Sequence, residues 1–177
     1  MQQAVDEIKK QYAIINGAVF SGLVFNLNNS VSDTTEAEFL NIFNVKTKGS
    51  LNFYTVFQKE NLDFMCYFSS GQAFSFSGAS KFSAYAAGIT FSDAYIQSLI
   101  NQSKFPVGTI NWGFWLPFEG GMDLSRHAGA LEHHQGIKCF ERFVYLLQRG
   151  VLNQVMCLKT SEPVRELMNF ERETNES

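Results

Sequence analysis

Several things are scarce in this chain, and each scarcity narrows what it can be. It has three cysteines, Cys66, Cys139 and Cys157, far apart and in no C-x-x-C pair, so neither a disulfide framework nor a zinc knuckle is available. Buried structural thiols are expected instead. Basic residues are few and scattered: 14 Lys and Arg against 17 Asp and Glu leave a formal net charge of −3, with no basic patch for nucleic acid or an anionic membrane. No apolar run approaches the ~20 residues of a membrane helix, and the opening MQQAVDEIKK has no apolar core of the signal-peptide kind. The expected compartment is the cytoplasm. Also missing is a strand followed by Gly-x-Gly-x-x-Gly and a helix, the pattern that seats a dinucleotide pyrophosphate. There is no P-loop, and FSSGQ (68 to 72) is not the G-x-S-x-G of a serine hydrolase. His127, His133 and His134 crowd into RHAGALEHHQG without ligand spacing, so no metal is expected.

What is present describes a folded domain. Apolar residues make up 45% and charged residues 18% of 177 positions, enough for one hydrophobic core and too short for two. The 18 Phe imply either an interior of large rings or an apolar surface awaiting a partner. Residues 1–168 read as one unit, and 169–177, NFERETNES, as a polar tail.

Val5, Ile8 and Tyr12 recur at helical spacing among charged residues, predicting an opening amphipathic helix. Ala13 to Ile15 and Gly17 to Phe20 are almost continuously apolar, as in a strand buried on both faces of a parallel sheet. Asp33 to Thr35 followed by Glu36 and Glu38 predicts a helix start, with one helix beyond it kinked near Gly49. Leu62 to Phe68 is a second strand, followed by a loop rich in Gly, Ser and Ala and a helix from Ala84 to Ile100. A third strand, Val107 to Trp112, a loop over Gly113 to Gly121, a helix from Lys138 to Gln148 and a strand from Val155 to Leu158 complete the order. This alternation predicts an α/β fold with a mostly parallel sheet and right-handed crossovers. It is a partial Rossmann-like, doubly wound sheet, the C-terminal half without the first βαβ cofactor-binding half. In that fold the strand ending at Phe20 would stand at an open edge.

Short stretches in a fixed order carry a resemblance over Ala4 to Thr160. They are INGAVFSG (15 to 22), KTKG (46 to 49), FSS (68 to 70), SAYAAGITFSDAY (83 to 95) and INWGFW (110 to 115). Collinear, they resemble the ketoreductase domains of modular polyketide synthases, a branch of the short-chain dehydrogenase/reductase family. The form YAAG-x-TF-x-DA is most similar to synthases whose acyltransferase is a separate protein (trans-acyltransferase type).

The resemblance implies NADPH as cofactor and a β-keto acyl chain on an acyl carrier protein as substrate. It assigns proton donation to Tyr85. A phenol is a weak acid at neutral pH, so its phenolate needs a nearby cation; the resemblance assigns this to Lys46, at the head of a K-x-x-G pattern. Lys48 points about 200° away around the helix. Ser70, with Ser69 second, would hydrogen-bond the substrate carbonyl. Asn111, Trp112 and Gly113, at the end of a strand, would lie beside the nicotinamide. Without that context Lys46 reads as a solvated lysine, Tyr85 as a core aromatic, and Ser69 and Ser70 as caps of backbone groups.

Two departures stand out. The position four after Tyr85, where many family members carry Asn in a polar relay, is Ile89. In FNLNNS (25 to 30), Leu27 and Asn28 occupy the region where many carry an acidic residue associated with stereochemical course. Two functions are therefore expected: a ketoreductase segment completed by a separate N-terminal half or by other synthase domains, or a non-catalytic remnant with a structural or interaction role.

Overall fold

In the computed structural model the described residues are 1–24, 26, 30–74, 79–115 and 130–159, with the backbone alone for 79–82. The elements are α1 (Gln2–Gln11), β1 (Gly17–Phe20), α2 (Glu36–Phe57), β2 (Phe64–Ser70), a short 3-10 turn (Gly71–Ala73), α3 (Ala79–Leu99), β3 (Val107–Trp112), α4 (His133–Gln148) and β4 (Gln154–Cys157).

The four strands form one parallel sheet in the order β1-β2-β3-β4. All six residues of β3 are buried, the polar Thr109 and Asn111 included, as befits the interior of a parallel sheet. β1 stands at one edge, and Val19 there is 38% exposed. Side chains alternate across the sheet. On one face Ala18, Phe20, Met65, Tyr67 and Val107 pack with Phe57, Ile96 and Leu99; on the other, Cys66 and Ile110 pack with Phe143 and Leu147 of α4. Phenylalanine is found both inside and at the surface. Phe20, Phe53 and Tyr67 form a ring cluster with centroids 5.4 to 5.7 Å apart, while Phe74, Phe91 and Phe114 are exposed.

Element identity follows the sequence expectation and boundaries shift. β2 runs on through Ser69 and Ser70, which pair with Asn111 and Trp112. Backbone groups continue a ladder whatever the side chain's polarity, so an apolar pattern ends before the strand does. Ala13 to Ile15 lie outside β1, and Ile14 is exposed. Thr35 closes a reciprocal capping box with Glu38, starting α2 as its sequence implied. Glu132 and Gln135 form another, which starts α4 at His133, earlier than its apolar periodicity suggested. α2 continues unbroken through Gly49, whose role is close packing: a Cβ there would lie 2.8 Å from Phe20 Cζ. Among the described residues no helix is long and apolar enough to cross a membrane.

Candidate active site

Parallel strands end together, and the C-terminal ends of β2 and β3 meet the midpoints of α2 and α3. Ser70 is the last residue of β2 and caps the 3-10 turn, its Oγ accepting from Gln72 N at 3.2 Å. The Ser70 hydroxyl lies near enough to the Tyr85 phenol on α3 to favour its ionised form. Burial pushes the phenol above its ordinary pKa; the Ser70 hydroxyl opposes that rise, and the Asp93 carboxylate adds to it.

Lys46 of α2 is 4% exposed, whereas Lys48 is exposed. The Lys46 ammonium donates to the backbone oxygen of Phe68 at 2.6 Å and lies 5.5 Å from the Phe20 ring centroid. Burial lowers its pKa to about 8, against the opposing pull of Asp93. Close approach of the two helices brings Lys46 here. Gly88 of α3 packs on the Lys46 stem, where a Cβ would sit 3.1 Å from Lys46 Cβ.

Asn111, Trp112 and Gly113 divide their tasks. Asn111 is 0% exposed and turned into the protein: its Nδ2 donates to Ser70 O at 3.1 Å and to Asp93 Oδ2 at 2.7 Å, while its Oδ1 accepts from Gln154 Nε2 at 2.9 Å. Gln154 Oε1 accepts in turn from Gln97 Nε2 at 2.9 Å. Trp112 packs edge-on against Phe68 and Trp115, and its buried Nε1 makes no hydrogen bond among the described residues. Gly113 donates its N–H to Cys157 O at 2.8 Å, and a Cβ there would meet Leu158 Cβ at 2.9 Å.

The structure thus brings the Ser70 and Tyr85 hydroxyls near each other and sets Lys46 beneath the same strand, bonded to Phe68 O. Ser69 is turned differently. Its hydroxyl lies close enough to Asp93 to favour the carboxylate, although Ser69 Oγ and Asp93 Oδ1 both lack a hydrogen bond of ordinary geometry. Ile89 is wholly buried. Leu27, Asn28 and His127 lie outside the described residues, as does the polar tail 169–177.

Sequence reasoning missed Asp93. Burial raises its pKa, while Asn111, Ser69 and Lys46 oppose the rise, so it is the electrostatic neighbour common to Lys46 and Tyr85. A signal was present: Asp93 is the one acidic residue in the α3 sequence, amid small and apolar neighbours.

The KR domain family profile matches residues 1–116. The chain belongs to the KR domain family, the ketoreductases of polyketide synthases. It is 40% identical over 110 residues to polyketide synthase ThaG of Burkholderia thailandensis, covering 62% of this chain and 2% of that protein. It is 31% identical over 169 residues to polyketide synthase PksM of Bacillus subtilis, covering 93% of this chain and 4% of that one. The KR chain thus spans a few hundredths of the length of these relatives.

Among solved structures, an N-terminal ketoreductase from the macrolactin assembly line aligns with a TM-score of 0.74 at 19% identity, over 94% of this chain and 33% of that one. A ketoreductase domain from the bacillaene assembly line gives 0.73 at 21%, over 94% and 42%. A short-chain dehydrogenase from Burkholderia cenocepacia in complex with NADP gives 0.71 at 14%, over 88% and 69%. At these identities the likeness is one of fold, a Rossmann-like parallel α/β sheet.

Proposed function

We propose that this KR chain supplies the proton-donating side of an NADPH-dependent ketoreductase that reduces a β-keto acyl thioester carried on an acyl carrier protein. The observation that carries this reading is the convergence of the Ser70 and Tyr85 hydroxyls at a strand end where the buried Lys46 ammonium donates to Phe68 O. When bound, the nicotinamide would supply hydride to the carbonyl carbon. Tyr85 gives its proton to the carbonyl oxygen, Ser70 donates a hydrogen bond to the same oxygen, and the charge of Lys46 stabilises the resulting phenolate.

The residues fit the nicotinamide end of such a cofactor. Ser70 and Tyr85 are half-buried at the C-terminal ends of parallel strands, where open α/β sheets take ligands, and Asn111, Trp112 and Gly113 form the neighbouring strand end. The sequence has no glycine turn for the phosphates, and β1 has no neighbour on its outer side among the described residues. Both observations favour a complementary N-terminal ketoreductase segment that pairs with β1 and contributes the phosphate site.

The alternative, a non-catalytic remnant that keeps a packing role, is favoured by the buried, apolar Ile89. Tyr85→Phe, assayed with the complementary segment present, separates the two. A loss of reduction of about 100-fold or more is expected from removing the general acid. Unchanged reduction would take Tyr85 out of the mechanism, and no reduction by either protein would favour the remnant.

A further inference from the structure

β2 outruns its neighbour on one side. β1 ends at Phe20, opposite Tyr67, while β2 continues to Ser70, so Phe68, Ser69 and Ser70 have a strand partner in β3 alone among the described residues. Two carbonyls of this overhang are taken by side chains instead. Phe68 O accepts from Lys46 Nζ at 2.6 Å, and Ser70 O accepts from Asn111 Nδ2 at 3.1 Å. The second contact bears on the candidate site, because the carbonyl and the hydroxymethyl group of Ser70 branch from one Cα.

Asn111 is wholly buried, and its position demands two donated hydrogens and one accepted. Its Nδ2 gives one hydrogen to Ser70 O and the other to Asp93 Oδ2 at 2.7 Å, while its Oδ1 accepts from Gln154 Nε2 at 2.9 Å. Aspartate has no second hydrogen to give, a hydroxyl has one for two acceptors, and leucine fills the volume but leaves all three partners unsatisfied. The amide is held from behind, since Gln154 Oε1 accepts from Gln97 Nε2 of α3 at 2.9 Å. Ser70 is fixed on its other side by Gln72, whose N–H donates to Oγ at 3.2 Å. An oxygen that accepts there keeps its own hydrogen to donate, which is the role proposed for Ser70.

Resting on the ketoreductase reading above, we infer that Asn111 is a positioning residue: it clamps the Ser70 carbonyl to the Asp93 carboxylate and so holds the Ser70 hydroxyl in the orientation from which it donates to the substrate carbonyl. Asp93 stands on α3, the helix that carries Tyr85, so the same clamp sets the strand end bearing Ser70 against the helix bearing the proton donor. Turned into the protein, Asn111 acts on the site through Ser70.

The first test reads geometry in the full chain by NMR. The Hα–Hβ scalar couplings of Ser70 should be those of one staggered rotamer in the wild type and should collapse toward rotamer-averaged values in Asn111→Leu. Ser92, buried and paired with Ser50 Oγ at 2.8 Å, is the control whose couplings stay put. Should Asn111→Leu fail to fold, Gln154→Leu, which removes only the support behind the amide, replaces it with the same expectation at smaller size. A Ser70 side chain already averaged in the wild type, or unchanged in the variant that folds, would overturn the inference.

The second test is a double-mutant cycle in the reassembled reductase. The folded variant, Asn111→Leu or its substitute, should lower kcat about tenfold with KM little changed, as expected when a transition-state contact is misplaced. In a Ser70→Ala background the same substitution should change kcat by less than about twofold, because the group it positions is gone. A further loss of about tenfold there would mean that Asn111 acts by another route and would equally overturn the proposal. Tyr85→Phe is run beside it: unimpaired reduction there refutes the ketoreductase reading and leaves the Ser70 rotamer result standing. If the wild type reduces nothing, that reading fails as well, and the rotamer measurement decides alone.

Discussion

Asn111 and Asp93 meet across the seam between β3 and α3, amide nitrogen to carboxylate oxygen at 2.7 Å, with both side chains buried. The contact ties the central strand to the helix that carries Tyr85, and it makes the seam sensitive to charge. Asn111→Asp would set two carboxyls against each other, and one would have to keep its proton. The folded-state pKa of that group rises above its unfolded value, so its stabilising contribution is complete below the ordinary carboxyl range and is lost as pH rises through the folded pKa. The urea midpoint of Asn111→Asp should therefore fall as pH is raised toward neutrality. Asn111→Ala, which leaves partners unsatisfied without adding charge, should lose about 1–3 kcal/mol with little pH dependence.

Lys46 makes both activity and stability respond to alkali. Its charged form is complete below its folded pKa of about 8 and is lost as pH rises through that value, so reduction should decline there. Stability has the opposite sign. Between about 8 and the ordinary lysine value of 10.5 the unfolded chain binds more protons than the folded one, and the penalty for burying the ammonium is relieved. Cys66 and Cys157, pushed up by burial, oppose this gain at high pH, so the Lys46 share is read as a difference from Lys46→Met. Denaturant titrations across that window should show wild type gaining on the variant by up to ~3 kcal/mol.

Gly88→Ala separates helix stability from site geometry. The new Cβ would press on Lys46 Cβ at 3.1 Å and on the Phe43 carbonyl at 3.4 Å, and α2 backbone cannot yield as a flexible side chain would. Alanine favours the helix by ~1 kcal/mol, which offsets much of the strain. Thermal unfolding should thus change little, while turnover falls about tenfold because Lys46 is displaced.

Val19→Lys tests the sheet edge. Val19 is exposed in β1, so the chain itself should keep its stability within about 0.5 kcal/mol. Association with a complementary ketoreductase segment, followed by sedimentation, should be lost, because an edge lysine opposes strand addition. Unimpaired association would place the contact elsewhere.

Much of the fold was legible because its signals are local. The apolar run at Gly17 to Phe20 marked a strand of the parallel sheet, and Thr35 with Glu38 marked the start of α2. Boundaries were less legible where backbone bonding outruns side-chain pattern, as at Ser69 and Ser70, or where a cap on polar residues starts a helix early, as at Glu132.

For this KR chain, sequence by itself determined the order of strands and helices, the family, and the residue types available for proton transfer, because periodicity and motif order are written along the chain. Tertiary structure showed why Ser70 rather than Ser69 turns toward Tyr85, since neighbours on a strand point to opposite faces and pairing sets the face. It also decided that Lys46 is buried, and that Asp93, a single acidic residue in a small-residue helix, lies within electrostatic reach of it. Charges act through space and desolvation depends on every element that closes over a group, so neither can be read from spacing along one segment.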